Sequence, residues 1–180
     1  MVHRLIHSLL LATLAITSGV TSAQDSGQSA GGRILSQYKH DLQGALRSGL
    51  SEGVVEAIAA CRIKAPKIAE SLSQGGTRVG RASHRLRNPD NVAPAWVEPI
   101  LDGYIANPAD RIPRTVLLSA DQAGYVEPIV LQPLCATCHG DAIAEEVATR
   151  INELYPDDRA VGFKAGDLRG VFWVEYPAEQ

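Results

Sequence analysis

Cys135, Ala136, Thr137, Cys138 and His139 form the most specific chemical pattern in this chain. Two thiols three residues apart can each add across a haem vinyl group to form a thioether. The imidazole that follows directly then falls beneath the iron as an axial ligand. The run therefore predicts one covalently attached haem c per chain. The competing readings are a disulfide and half of a zinc site. A structural zinc site needs four ligands, and the other candidates, Cys61, His40 and His84, repeat no paired spacing. A thioredoxin-like pair would need a βαβ setting that this region lacks.

What holds the opposite face of the iron is settled partly by elimination. The single methionine is Met1, and the N-terminus reads as a secretion signal. Arg4 gives a short basic start, residues 5–20 are apolar, and Thr21, Ser22 and Ala23 offer small residues for cleavage after Ala23. An uncleaved anchor is the alternative, although the apolar run is shorter than the roughly 20 residues a membrane span needs. Cleavage would remove Met1 and exclude methionine ligation. That leaves His40, His84, Cys61, a lysine, water or an open position.

Cys61 is the odd cysteine of three, and an unpaired thiol in an exported chain needs a reason. A small buried hydrophobe is the bland one. Val54, Ile58, Cys61, Ala65, Ile68 and Leu72 recur at spacings of four and three, so Cys61 lies on the inward stripe of a helix. Pro66 lacks an N–H and crowds the carbonyl of Arg62, which predicts a bend or break just after Cys61. His84 sits among small polar residues in an alternating run and reads as solvent-facing. His40 falls on the polar face of a helix whose apolar face carries Leu35, Tyr38, Leu42 and Leu46. Spacing alone leaves Cys61 and His84 level.

Three blocks bear on that choice. The first is Ala57-Ile58-Ala59-Ala60-Cys61 followed by Ala65-Pro66-Lys67-Ile68-Ala69. The second is Gly80-Arg81-Ala82-Ser83 leading into Arg87-Asn88-Pro89-Asp90-Asn91. The third is Cys138-His139-Gly140, then the long run from Tyr155 through Asp158, Gly162 and Phe163 to Gly170. With these blocks the chain resembles the c-type haem family with a PAS-like fold, long catalogued only as a domain of unknown function. The resemblance spans residues 58–174. It implies a haem ligated by the motif histidine, here His139, and by a cysteine on an N-terminal helix, here Cys61. Phe172, Trp173 and Val174 are bulkier than that family's pattern. Arg81, Arg87 and Arg169 lie in the resembling blocks. Haem propionates need countercharge, and an arginine fork suits carboxylates; a purely structural tie to a nearby turn is the other reading of each.

The elements that must position these residues follow from periodicity. Residues 24–32 read as a flexible leader and 33–180 as one domain. Helices are expected over 34–50, from a Ser51 cap to Leu72, over 95–105, and from an Asp141 cap to Leu154. Strands are expected over 78–86, 115–119, 125–131, 162–165 and 170–176, with turns at 88–91, 121–124 and 166–167. Pro128 suggests an edge position or a bulge. Helices first and an antiparallel sheet afterwards predict an α+β, PAS-like domain.

Composition narrows the function classes. The chain carries 17 basic and 20 acidic residues. Loss of residues 1–23 takes away only Arg4, giving net −4. No basic tract points to nucleic acid, and no second apolar run is long enough to span a bilayer. The expected function is a periplasmic sensor of redox state or of a diatomic gas such as CO or NO, acting on a separate signalling partner. A monohaem electron-transfer cytochrome with a redox protein partner is the alternative. Peroxidase-type catalysis needs an acid–base residue over an open iron face, and no histidine offers itself for that role.

Overall fold

The computed structural model describes residues 29–178. The expected signal peptide (1–23) and residues 24–28 of the expected leader lie outside them. Element order is α1 (Ala30–Leu50), α2 (Val54–Leu72), β1 (Arg78–Ala82), α3 (Glu98–Ala106), β2 (Arg114–Leu117), β3 (Gln122–Val130), α4 (Ala136–His139), α5 (Glu145–Leu154) and β4 (Leu168–Pro177). The strands form one antiparallel sheet in the order β1-β4-β3-β2. The domain is α+β, as expected. Among the described residues, no helix is long and apolar enough to cross a membrane.

Side chains alternate across β4, so its two faces bury different helices. Val171 and Trp173 face α3 and join Val97, Leu101, Tyr104 and Val126 in one core. Phe172, Val174 and Tyr176 face α1 and α2, against Leu35, Tyr38, Val79 and Ile68. The bulky triplet is accommodated by what lies opposite. Trp173 covers Gly80, where any Cβ would collide with the indole. Phe172 meets Tyr38 edge-on with centroids 5.9 Å apart. A third cluster joins Ile58 of α2 to Val147 and Ile151 of α5, and the Cys138 and Tyr155 side chains pack into it.

Helix α1 starts before residue 34 because Ser29 caps it, its Oγ accepting from the N–H of Gly32 at 3.1 Å. Residues 30–32, read as leader, are therefore helical. Ser51 ends α1 rather than starting α2; its hydroxyl donates to Ser48 O at 2.7 Å. Helix α2 begins after Gly53, whose φ of 141° suits only glycine. It runs unbroken through Pro66. Helix α3 begins at Glu98, which puts Pro99 in the first turn, where a missing N–H is harmless. Asp141 is not a cap: α5 starts after Ala144.

Three strand boundaries also differ from the sequence reading, each because a competing partner wins. β1 stops at Ala82 since the Ser83 hydroxyl bonds the carbonyls of Arg85 and Arg169. β3 begins at Gln122, inside the expected turn. Gly124 is there because the Trp96 indole lies over it, with no room for a Cβ. Residues 162–165 form no strand; the N–H groups of Gly162 and Phe163 donate to Gly140 O and His139 O at 2.7 and 2.9 Å. Pro128 lies on an inner strand, but past the point where β2 pairing ends, and a register shift follows between Ile129 and Val130.

Candidate functional site

The Cys-Ala-Thr-Cys-His run follows β3 directly. A 3-10 turn (Pro133–Cys135) leads into the single turn of α4. Cys135 and Ala136 pack on Leu131, Ala160 and Phe163, while Cys138 turns towards α2 and α5. Gly140 closes the turn. Its N–H donates to Ala136 O at 2.8 Å, and a Cβ there would press on that same carbonyl. All three cysteines are free thiols. Among the described residues no group of three or more His, Cys, Asp and Glu side chains could hold a metal ion.

His139 is held in one tautomer. Its Nδ1 lies 2.7 Å from Ala160 O. A carbonyl can only accept, so Nδ1 carries the proton and Nε2 keeps a free lone pair. Burial, with Arg87 and Arg169 adding to it, holds the imidazole pKa down to about 3. The ring is therefore neutral at any ordinary pH, as a metal ligand must be.

Cys61 lies on the inward stripe of α2. Ile58 and Ala65, three residues before it and four after, are buried, and Cys61 itself is half-buried. Burial pushes its thiol up, while Arg81, Arg87 and Lys64 pull against that shift. Burial likewise raises the Cys138 thiol, with the Cys61 charge adding to it, and Cys138 packs into the cluster that holds Ile58, one turn before Cys61. His84 is exposed, with its ring edge-on to Phe163, and His40 is exposed on α1.

The three candidate arginines converge on the same place from three elements. Arg81 lies on β1 opposite Phe172, on the α1–α2 face of the sheet, beside Tyr38. Arg87 reaches from the loop after β1 to Cys138 O at 2.5 Å and to Asp158 at 3.0 Å. Arg169, on β4, donates to Ser83 Oγ at 2.7 Å and Arg85 O at 3.1 Å. Burial, then Arg87 and Arg81, lower its pKa to about 10. Arg87 and Arg169 thus have structural bonds, and all three arginines keep a buried Nε with no partner among the described residues. Asp158 is the carboxylate set against them, which leaves an excess of positive charge. A buried donor without an acceptor is costly, so the cluster could take an anionic group.

The sequence reading missed Asp158 and Ala160. Asp158 Oδ1 accepts from the N–H of Ala160 at 2.8 Å, and Oδ2 pairs with Arg87. That holds the carbonyl that orients His139. A cleft of about 470 Å³ opens beside this pair, between residues 86–89 and 156–159, and none of the three cysteines lines it.

Fold and site define an α+β domain in which a Cys-X-X-Cys-His turn meets a helix-borne thiol over a cationic cluster. The chain belongs to the Tll0287-like family, whose model, described as Tll0287, matches residues 8–177. Among solved structures it is similar to the cyanobacterial heme-protein Tll0287, at 27% identity and a TM-score of 0.61, covering 82% of this chain and 92% of that one. No curated protein matches it.

Proposed function

We propose that this chain is an exported, periplasmic protein of PAS-like fold that holds one haem c and senses redox state or a diatomic gas. The observation that carries the reading is His139: a neutral imidazole, its Nδ1 proton committed to Ala160 O, immediately after two free thiols. The name of the heme-protein Tll0287 supports the same cofactor. Once bound, the haem supplies a one-electron couple and, when reduced, affinity for CO or NO.

The residues have separate tasks. Cys135 and Cys138 each add sulfur and hydrogen across a vinyl C=C bond, forming a C–S bond with no change in oxidant or reductant. His139 Nε2 would ligate the iron. Arg81, Arg87 and Arg169, whose Nε groups lack partners among the described residues, would hold the two propionates, which would offset the cationic excess. Cys61 would supply the second ligand. A thiolate favours oxidised iron and lowers the potential, whereas a thiol is a weak ligand. Reduction of the iron by an external one-electron donor, with a proton from solvent taken up by the sulfur, would therefore favour release of Cys61 on α2, and that release would be the signal.

Chain made with a working c-type maturation system should gain the mass of one haem. The oxidised protein should show a low-spin thiolate electron-paramagnetic signal that Cys61→Ala abolishes. The reduced protein should bind CO and the oxidised protein should not. Absence of added mass ends the haem reading, and an unaltered Cys61→Ala spectrum moves the second ligand to His84 or water. Failure to bind CO, with fast exchange to a protein donor, favours the electron-transfer cytochrome instead.

A further inference from the structure

Helix α5 ends at Leu154, and the chain turns out of it at Tyr155, whose N–H still donates to Ile151 O at 2.8 Å. The half-buried Tyr155 ring packs into the cluster that joins α2 to α5, together with Ile58, Val54 and Cys138. The Arg62 guanidinium lies over the same ring, 5.3 Å from its centroid. Ile58 and Arg62 are three residues before Cys61 and one after it, so the ring spans the turn of α2 that carries the thiol. Cys138 packs against the same cluster.

The loop that follows is short and tied at each step. Asp158 N–H donates to Tyr155 O at 3.0 Å, Asp158 Oδ2 pairs with Arg87 at 3.0 Å, and Ala160 O takes the His139 Nδ1 proton at 2.7 Å. One end of this loop presses on the Cys61 turn and the other holds His139. We propose that Tyr155 is the positioning residue for Cys61, its ring wedged between α2 and the Cys138 turn so that it fixes how closely the Cys61 sulfur approaches the His139 side. This rests on the haem reading above.

Burial pushes the Tyr155 phenol up, and the Cys61 charge adds to that shift. The phenol oxygen makes no hydrogen bond among the described residues, so the ring does the positioning. Phenylalanine should therefore replace tyrosine without loss, and an aliphatic side chain should not.

The test uses the haem-loaded protein and its spectra. Tyr155→Leu should lose at least half of the low-spin thiolate signal per haem and bind CO roughly tenfold faster when reduced, since a small misplacement of a working group is felt strongly. Tyr155→Phe should keep the wild-type signal. A Tyr155→Leu protein that melts earlier but keeps its full thiolate signal overturns the proposal, as does a Tyr155→Phe protein that loses it. Should Tyr155→Leu not accumulate, Arg62→Ala carries the test from the exposed side: a smaller loss of the same signal supports the proposal, and no loss overturns it. Cys61→Ala separates the two readings. If it leaves the spectrum unchanged, the assignment of Cys61 as ligand has failed; if it abolishes the signal while Tyr155→Leu does not, the role of Tyr155 alone has failed.

Discussion

Asp158 shows how much one side chain can organise. Its side chain is 3% exposed and its two oxygens hold two different things, the Arg87 guanidinium and the N–H of Ala160. Removing one partner of a buried pair leaves the other charge unsatisfied, typically at a cost of about 3–5 kcal/mol. Asp158→Ala should therefore lower stability by an amount near the bottom of that range, and urea unfolding measures it. A loss below about 1 kcal/mol would place the pair with ordinary surface bridges. The site residues divide along the same line. Cys135, Cys138 and His139 are legible because their chemistry is local, five residues read in order. Asp158 and Ala160 are not, because their roles are a salt bridge to a residue 71 positions away and a carbonyl bond to one 21 away. The only local sign was that Asp158 can bond the N–H two residues on, which is a turn signal and says nothing of what the turn holds.

Elements were readable where one periodicity met no rival. The inward stripe of α2 is buried or half-buried along its length, from Val54 to Leu72. Strand ends were misread where a hydroxyl or the His139–Gly140 backbone claimed the groups a strand would have used, and where a glycine set beneath an indole read as a turn. Helix α1 illustrates both sides. Its apolar face was evident, but its start was hidden by two glycines that read as a linker. Gly31 is buried against β3, where a Cβ would collide with Tyr125, whose Cγ would lie at 2.8 Å. Gly31→Ala gains helix propensity of up to about 1 kcal/mol, but the overpacking penalty is typically about 1–3 kcal/mol. The net effect should be destabilising, read as a lower thermal midpoint; a raised midpoint would mean the first turn of α1 moves freely. The same helix makes a pH prediction. Tyr38, buried at 2% exposure, has its phenol pushed up by burial, with Arg81 pulling against the shift. The folded state thus binds the phenolic proton more tightly than the unfolded chain. Stability from this group is complete below the unfolded value of about 10 and is lost as pH rises through the folded one. Tyr38→Phe should flatten the fall in stability above pH 10, measured by denaturant titration at several alkaline pH values. An unchanged slope would assign the fall to Tyr104, Tyr125 and Tyr155, whose phenols are raised as well.

At the scale of the molecule the governing fact is positive charge in excess of the carboxylate set against it. The whole chain is acidic, at −3, yet Arg81, Arg87 and Arg169 share one partly buried neighbourhood with Asp158 as the carboxylate set against them. Arg169 shows the penalty directly, its pKa drawn down to about 10 by burial and by its neighbours. If two propionates complete the cluster, haem-loaded and haem-free chain should differ in how they respond to losing one of these charges. Arg169→Gln forfeits the bonds to Ser83 and Arg85 in both forms, so that structural cost cancels in the difference between them. What remains is the charge-assisted bond present only with haem, about 1.5–3 kcal/mol, and the relief of repulsion present only without it. Both terms have the same sign. The gap between the thermal midpoints of the two forms should narrow by several degrees, since about 1 kcal/mol shifts a domain of this size by roughly 2–4 °C. Calorimetry of wild type and Arg169→Gln, each prepared with and without a maturation system, supplies the four values. An equal gap in the two proteins would mean that the arginine cluster serves the loop between Ser83 and Arg87 and takes no part in holding the cofactor.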